Sequence, residues 1–184
     1  SSLNGVVAGT YTVIATDMNG CVVSSPAVVG LTPGGTASIT SISNITCNGA
    51  NDGALTVSPI GGAAPFTFSW TTGGQTNGTA TSLSPGTYTA TVTDFYGCTA
   101  TAIATVTQPT TLTAIMNSNN VKCYSTATGT VSAAGSGGTF PYTYLWTTLA
   151  STLSTVPNVI IGDYPCIITD ANGCSITQSI SVTE

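Results

Sequence analysis

The residues best able to do chemistry in this sequence are six cysteines: Cys21, Cys47, Cys98, Cys123, Cys166 and Cys174. No histidine accompanies them and no Cys-x-x-Cys spacing occurs, which argues against a mixed Cys/His zinc site. The spacing instead suggests oxidation in pairs. Cys47 and Cys98 stand 51 residues apart, and so do Cys123 and Cys174. In a small exported module, a disulfide reinforces a modest core. Closing a loop of this length stabilises by about 4 kcal/mol in the chain-entropy model. Pairing within each unit is therefore the favoured expectation, Cys47 with Cys98 and Cys123 with Cys174. A competing scheme pairs Cys21 with Cys47 and Cys98 with Cys123, stapling neighbouring units together; Cα separations under about 7 Å decide between them. Cys166 stands apart. It lies two residues after Tyr164, and the strand expected opposite it, residues 129–133, has no cysteine. It reads as a small, buried, unpaired core thiol. A nucleophile is disfavoured because the pattern places no base beside it.

Other chemistry has little to stand on. Lys122 is the only basic residue, against six acids: Asp17, Asp52, Asp94, Asp163, Asp170 and Glu184. Nucleic-acid binding needs several cations to displace counterions from phosphates, so that class is excluded. A polybasic membrane patch fails for the same reason, and no apolar run approaches the roughly 20 residues of a spanning helix. Lys122 has Thr46 as its counterpart 76 residues earlier, so a cross-linking role would arise in one unit alone; a solvated lysine is the better reading. Calcium usually takes several carboxylates. Asp17 with Asn19, Asp94, and Asp170 with Asn172 offer one per turn, and those residues form turns without a metal. No metal, cofactor or catalytic residue is assigned, and the chain is expected not to be an enzyme.

These residues sit on a repeating frame. Gly86-Thr87-Tyr88 through Asp94-Phe95-Tyr96-Gly97-Cys98 matches Gly9-Thr10-Tyr11 through Asp17-Met18-Asn19-Gly20-Cys21. It recurs in Gly162-Asp163-Tyr164 through Asp170-Ala171-Asn172-Gly173-Cys174. The intervals are 77 and 76 residues. Gly61-Gly62 through Trp70 likewise matches Gly137-Gly138 through Trp146, again 76 apart. The register divides the chain into the C-terminal strands of a preceding repeat (1–33) and two complete repeats (34–109 and 110–184). The sequence opens inside the pattern without a Met, and a fragment or processed product is expected.

Within a repeat the apolar period is two. Phe66, Phe68 and Trp70 alternate with Thr67, Ser69 and Thr71; Tyr88, Ala90 and Val92 alternate with Thr89, Thr91 and Thr93. Such strands put one face on a core and one in water. Glycine, proline and asparagine cluster between the runs, and no segment offers a capped amphipathic helix. The expected fold is all-β, as tandem immunoglobulin-like sandwiches. Trp70 and Trp146 take the place of the buried strand-C tryptophan; Tyr11, Tyr88 and Tyr164 take that of the tyrosine corner. The plainer alternative, that these are simply the largest core residues, buries them equally.

The strings Cys-Asn-Gly-x-x-Asp-Gly at 47–53, Gly-Gly-x-x-Pro-Phe-x-Phe-x-Trp at 61–70 and Leu-x-Pro-Gly-Thr-Tyr-x-x-x-Val-x-Asp-x-x-Gly-Cys at 83–98 resemble the SprB-type repeat of Bacteroidetes cell-surface proteins, gliding-motility adhesins among them. The second repeat is looser: Cys123-Tyr124-Ser125 lacks the Asn-Gly, and Asp163 replaces the threonine before Tyr164. The resemblance implies export to the cell surface through the type IX route, and a role in adhesion, motility or extracellular filaments. Neighbouring repeats or identical subunits are the expected partners. A carbohydrate-binding module that takes a surface polysaccharide is the alternative, for which Phe95, Tyr96, Tyr124, Tyr142 and Tyr144 would have to supply exposed stacking faces; most of them read better as core or turn residues. Sparse charge leaves strand edges with little protection against pairing, which favours assembly into a filament.

Overall fold

The computed structural model describes residues 2–30, 34–71, 74–122 and 127–184. Its regular structure consists entirely of strands. In chain order these are β1 (Gly9–Thr16), β2 (Val22–Val29), β3 (Thr36–Ser43), β4 (Gly53–Ile60), β5 (Thr67–Trp70), β6 (Thr79–Leu83) and β7 (Gly86–Thr93). Then follow β8 (Thr99–Val106), β9 (Thr113–Asn119), β10 (Gly129–Ser136), β11 (Thr143–Trp146), β12 (Thr155–Val159), β13 (Gly162–Thr169) and β14 (Ser175–Val182).

The strands form two sandwiches and a hairpin. In the first sandwich, sheet β3-β4-β6 faces sheet β5-β7-β8; in the second, β12-β10-β9 faces β11-β13-β14. Every pairing is antiparallel. The fold is that of tandem immunoglobulin-like sandwiches, and the cause is the period-two pattern. Along β7, Tyr88, Ala90 and Val92 turn inward and are buried while the intervening threonines are only partly covered. Leu55 and Val57 of β4 meet them from the other sheet with Ala80 and Leu83 of β6, and Trp70 of β5 and Val106 of β8 join from the same sheet as β7. The second core repeats the design with Val131, Trp146, Tyr164, Cys166, Ile168 and Val182.

Two glycines set the spacing between the sheets. A Cβ on Gly53 would lie 2.7 Å from Val106 Cγ1 and 3.0 Å from the Leu83 carbonyl oxygen. One on Gly129, 76 residues on, would lie 2.9 Å from the Val159 carbonyl oxygen and 3.0 Å from Val182 Cγ1. No side chain fits at either position without displacing a neighbour.

The hairpin β1–β2 keeps the register of its counterparts. Tyr11 faces Ala27 as Tyr88 faces Ala104 and Tyr164 faces Ile180. It forms a two-stranded sheet by itself, however, and Val13 and Val23, on the side that is core elsewhere, are 61% and 67% exposed.

Candidate functional site: the junction between the sandwiches

The hairpin loop between β13 and β14 is built by Asp170. Its Oδ1 accepts the Asn172 and Cys174 backbone N–H groups, both at 2.9 Å. Its Oδ2 accepts the Thr139 N–H at 2.9 Å from the Gly137-Gly138 loop. Gly173, at φ 84°, supplies the left-handed residue that a three-residue hairpin of this kind requires. Asp94 does the same between β7 and β8, taking the N–H groups of Tyr96 (3.0 Å), Cys98 (2.9 Å) and Ala63 (3.3 Å). Desolvation pushes both carboxyls up, but the backbone N–H bonds together outweigh it and hold each below the usual carboxylate range. Asp17 in the hairpin accepts the N–H groups of Asn19 and Cys21 alone, both at 2.8 Å.

A second loop follows β3. The Cys47 carbonyl accepts the Ala50 N–H at 2.9 Å, with Gly49 at φ 82°, a turn that demands glycine in its third position. Asp52 braces it by accepting the Thr46 hydroxyl and backbone N–H, and the hydroxyl bond is the main reason its carboxyl is held low.

These two kinds of loop meet at the junction. Cys47 of the first sandwich is bonded to Cys174 of the second, with S–S 1.99 Å and Cα atoms 5.7 Å apart. Around the bond, Asn172 Nδ2 donates to the Thr46 carbonyl at 2.9 Å. Asn48 Nδ2 donates to the Pro109 carbonyl at 2.9 Å, the Gly49 N–H to Gln108 Oε1 at 2.9 Å, and the Thr111 hydroxyl to Asn48 Oδ1 at 3.0 Å. The connecting segment is thus held along its length by the Cys47 loop, and Leu112 is buried beside it.

The pairing corrects the sequence expectation. Cys47 does not bond Cys98, which is an exposed free thiol, and Cys174 is not available to Cys123 because its sulfur is taken by Cys47. The physical reason is strand length. Cys98 follows the β7–β8 turn at one pole of the first sandwich, whereas Cys47 lies beyond the far end of β3, near the Thr107 end of β8. Eight residues of extended chain separate the poles by about 26 Å, far beyond the reach of a disulfide. The competing scheme is not formed either, since Cys21 and Cys98 are both free; it was right only in that a cystine joins neighbouring units. Cys123 lies outside the described residues.

The other residues singled out by sequence lie elsewhere. Trp70 and Trp146 end β5 and β11, both buried, and their indole N–H groups donate to the carbonyls of Asn77 and Leu153, each at 2.9 Å. The hydroxyls of Tyr11, Tyr88 and Tyr164 donate to the carbonyls of Val7 (2.7 Å), Ser84 (2.8 Å) and Ile160 (2.8 Å), in each case four residues upstream. Cys166 is fully buried and free, opposite Trp146, and burial pushes its thiol up. Among the described residues, no three His, Cys, Asp or Glu side chains gather where they could hold a metal ion. Asn48 and Asn172 carry the junction, yet nothing in their spacing marks them as partners; both read as ordinary turn residues.

Two stretches of the chain, residues 39–75 and 116–151, match the SprB repeat. No curated protein sequence matches this chain. Among solved structures, it is similar to the C-terminal 282-residue fragment of intimin in complex with the translocated intimin receptor's intimin-binding domain. There the TM-score is 0.42 at 20% identity, covering 80% of this chain and 64% of that one. It is also similar to the N-terminal eight Ig domains of Down syndrome cell adhesion molecule, with TM-score 0.41, 15% identity, and 95% of this chain against 28% of that one. Surface layer protein SbsC, domains 1–6, gives TM-score 0.35 at 15% identity, covering 96% and 35%.

Proposed function

We propose that this chain, which carries two SprB repeats, is a structural or adhesive segment of an extracellular surface protein or filament, without catalytic activity. The observation that carries this reading is the junction. A cystine and two hydrogen bonds, Asn172 to Thr46 and Thr111 to Asn48, cross from one repeat to the next. Asn48 and Gly49 also hold Pro109 and Gln108 of the connecting segment, so the unit of construction is a stiffened joint between modules. Modules that contact mainly their neighbours make long, quasi-one-dimensional objects, and a disulfide belongs to an oxidising, extracellular compartment. In this reading residues 34–109 and 110–184 are whole repeats and residues 1–33 are the closing strands of another, whose open apolar face is completed by a neighbouring segment or subunit.

Small-angle scattering and electron microscopy of the purified chain test it. The expected result is a rod with a fixed angle between sandwiches, assembling lengthwise at high concentration. Compact particles, or a freely hinged pair that never associates, would overturn the mechanical reading. Export through the type IX route and participation in gliding belong to the same proposal, and surface labelling of intact producing cells checks them.

A carbohydrate-binding role is the weaker reading. Its best support is the exposed pair Phe95 and Tyr96, but the rings meet edge to face at 77° and offer no shared stacking plane. Tyr142 and Tyr144 are half-buried against the second core, and the Tyr142 hydroxyl donates to the Gly137 carbonyl. Retention on a polysaccharide column, abolished by Tyr96→Ala, would favour this alternative.

A further inference from the structure

The junction joins a loop cysteine, Cys47, to a turn cysteine, Cys174. The sequence repeats both kinds. Cys98 precedes Cys174 by 76 residues, and its turn has the same construction, with Asp94 in the place of Asp170 and Gly97 at φ 82°. What differs is cover. Asp170, beside the cystine to the first sandwich, is only 5% exposed, whereas Asp94 is half-buried and Cys98 exposed and free. Phe95 and Tyr96 occupy the positions of Ala171 and Asn172 and are 65% and 64% exposed. Asn172, at the Tyr96 position, is the residue that reaches across the junction to Thr46. The outer pole of the first sandwich therefore carries the same frame as the covered pole of the second, with an unspent half-cystine and two uncovered aromatic rings.

We propose that this pole is a docking surface for the Cys47-type loop of another copy of the repeat, and that Cys98 forms there the cystine that Cys174 forms in the junction described. The surface continues an interface that the same chain already makes, which commits the occupant to a second copy of the repeat. Bond formation removes one proton and one electron from each thiol; a small-molecule disulfide such as oxidised glutathione accepts them and leaves as two thiols. An array of these repeats would then carry one cystine at every junction and none within a repeat. The inference rests on the tandem-repeat reading above.

The test uses the full chain with a further copy of residues 34–109 inserted after Pro109. In the inserted copy, Ile103→Val on the exposed face of β8 marks its Cys98 peptide by mass. The protein is oxidised with a glutathione pair, and proteolytic peptides are mapped without reduction. The expected result is a bond from Cys47 of the first copy to the marked Cys98, formed as fully as the bond from Cys47 of the inserted copy to Cys174. Cys47→Ser in the first copy should then release the marked Cys98 to alkylation and leave the Cys174 bond intact. A marked Cys98 found free, glutathionylated or bonded within its own copy, beside an intact bond to Cys174, overturns the inference and leaves the repeat reading standing. Loss of both bonds overturns the two together.

Discussion

Cys47 and Cys174 are 127 residues apart in sequence and 5.7 Å apart at Cα, and the bond between them joins a loop of one sandwich to a turn of the next. It therefore constrains the relative placement of two sandwiches, each of which has a core without it. In the chain-entropy model a loop of this length would be worth about 5 kcal/mol to a chain that unfolds as one body. Here most of that effect falls on the joint. Cys47→Ser is expected to leave both sandwiches folded and to free the hinge between them. The Gly49 amide, bonded to Gln108, should lose at least about tenfold in hydrogen-exchange protection, equivalent to about 1.4 kcal/mol of local stability. Unchanged protection would show that the hydrogen bonds hold the joint unaided.

Thiol reactivity separates the remaining cysteines. In the native protein, iodoacetamide should modify Cys21 and Cys98, which are exposed, and spare Cys166, which is fully buried with its thiol pushed up. Denaturant should expose Cys166 together with the loss of the second core. Native labelling of Cys166 at the rate of Cys98 would contradict its placement opposite Trp146.

The tyrosine hydroxyls give a second test of local design. Tyr88→Phe and Tyr164→Phe each remove one hydrogen bond to a carbonyl four residues upstream while keeping the ring. Each is expected to cost about 1 kcal/mol in denaturant unfolding of its own sandwich. Tyr11→Phe should have no effect on either sandwich, because its hairpin belongs to neither core.

Gly53→Ala and Gly129→Ala test the sheet spacing. An added methyl would press on Val106 and the Leu83 carbonyl, or on Val182 and the Val159 carbonyl. The expected cost is about 1–3 kcal/mol at each, read from urea midpoints. Gly74→Ala serves as a contrast, since open space surrounds that position and its penalty is limited to the positive φ of 59°.

Acid should loosen the turns. Asp94 and Asp170 are held below the usual carboxylate range in the folded chain, so each contributes stability that is fully present above its unfolded value near pH 4. That contribution is lost as pH falls through the lower folded values. Thermal melting followed from pH 6 down to pH 2 should show the decline confined to the region below about pH 4. Asp170→Asn should flatten it for the second sandwich, and an unaltered slope in that variant would place the acid sensitivity elsewhere.

Much of the fold is legible residue by residue. Alternation in Tyr88-Thr89-Ala90-Thr91-Val92 dictates a strand with one wet face, because successive side chains of extended backbone point oppositely. Asp94 followed by Gly97 specifies the turn, because a short carboxylate caps nearby N–H groups and only glycine enters the left-handed region at little cost. Period two, turn chemistry and a 76-residue register are local or repeated properties, and the sequence alone determined the all-β architecture from them. The partner of Cys47 was not local in this sense. Equal 51-residue spacings favour bonds within a repeat, but spacing along a chain carries no information on which pole of a sandwich a loop occupies. That was decided by the tertiary structure: an eight-residue strand carries Cys47 about 26 Å from the Cys98 turn, and end-to-end stacking brings it instead to Cys174.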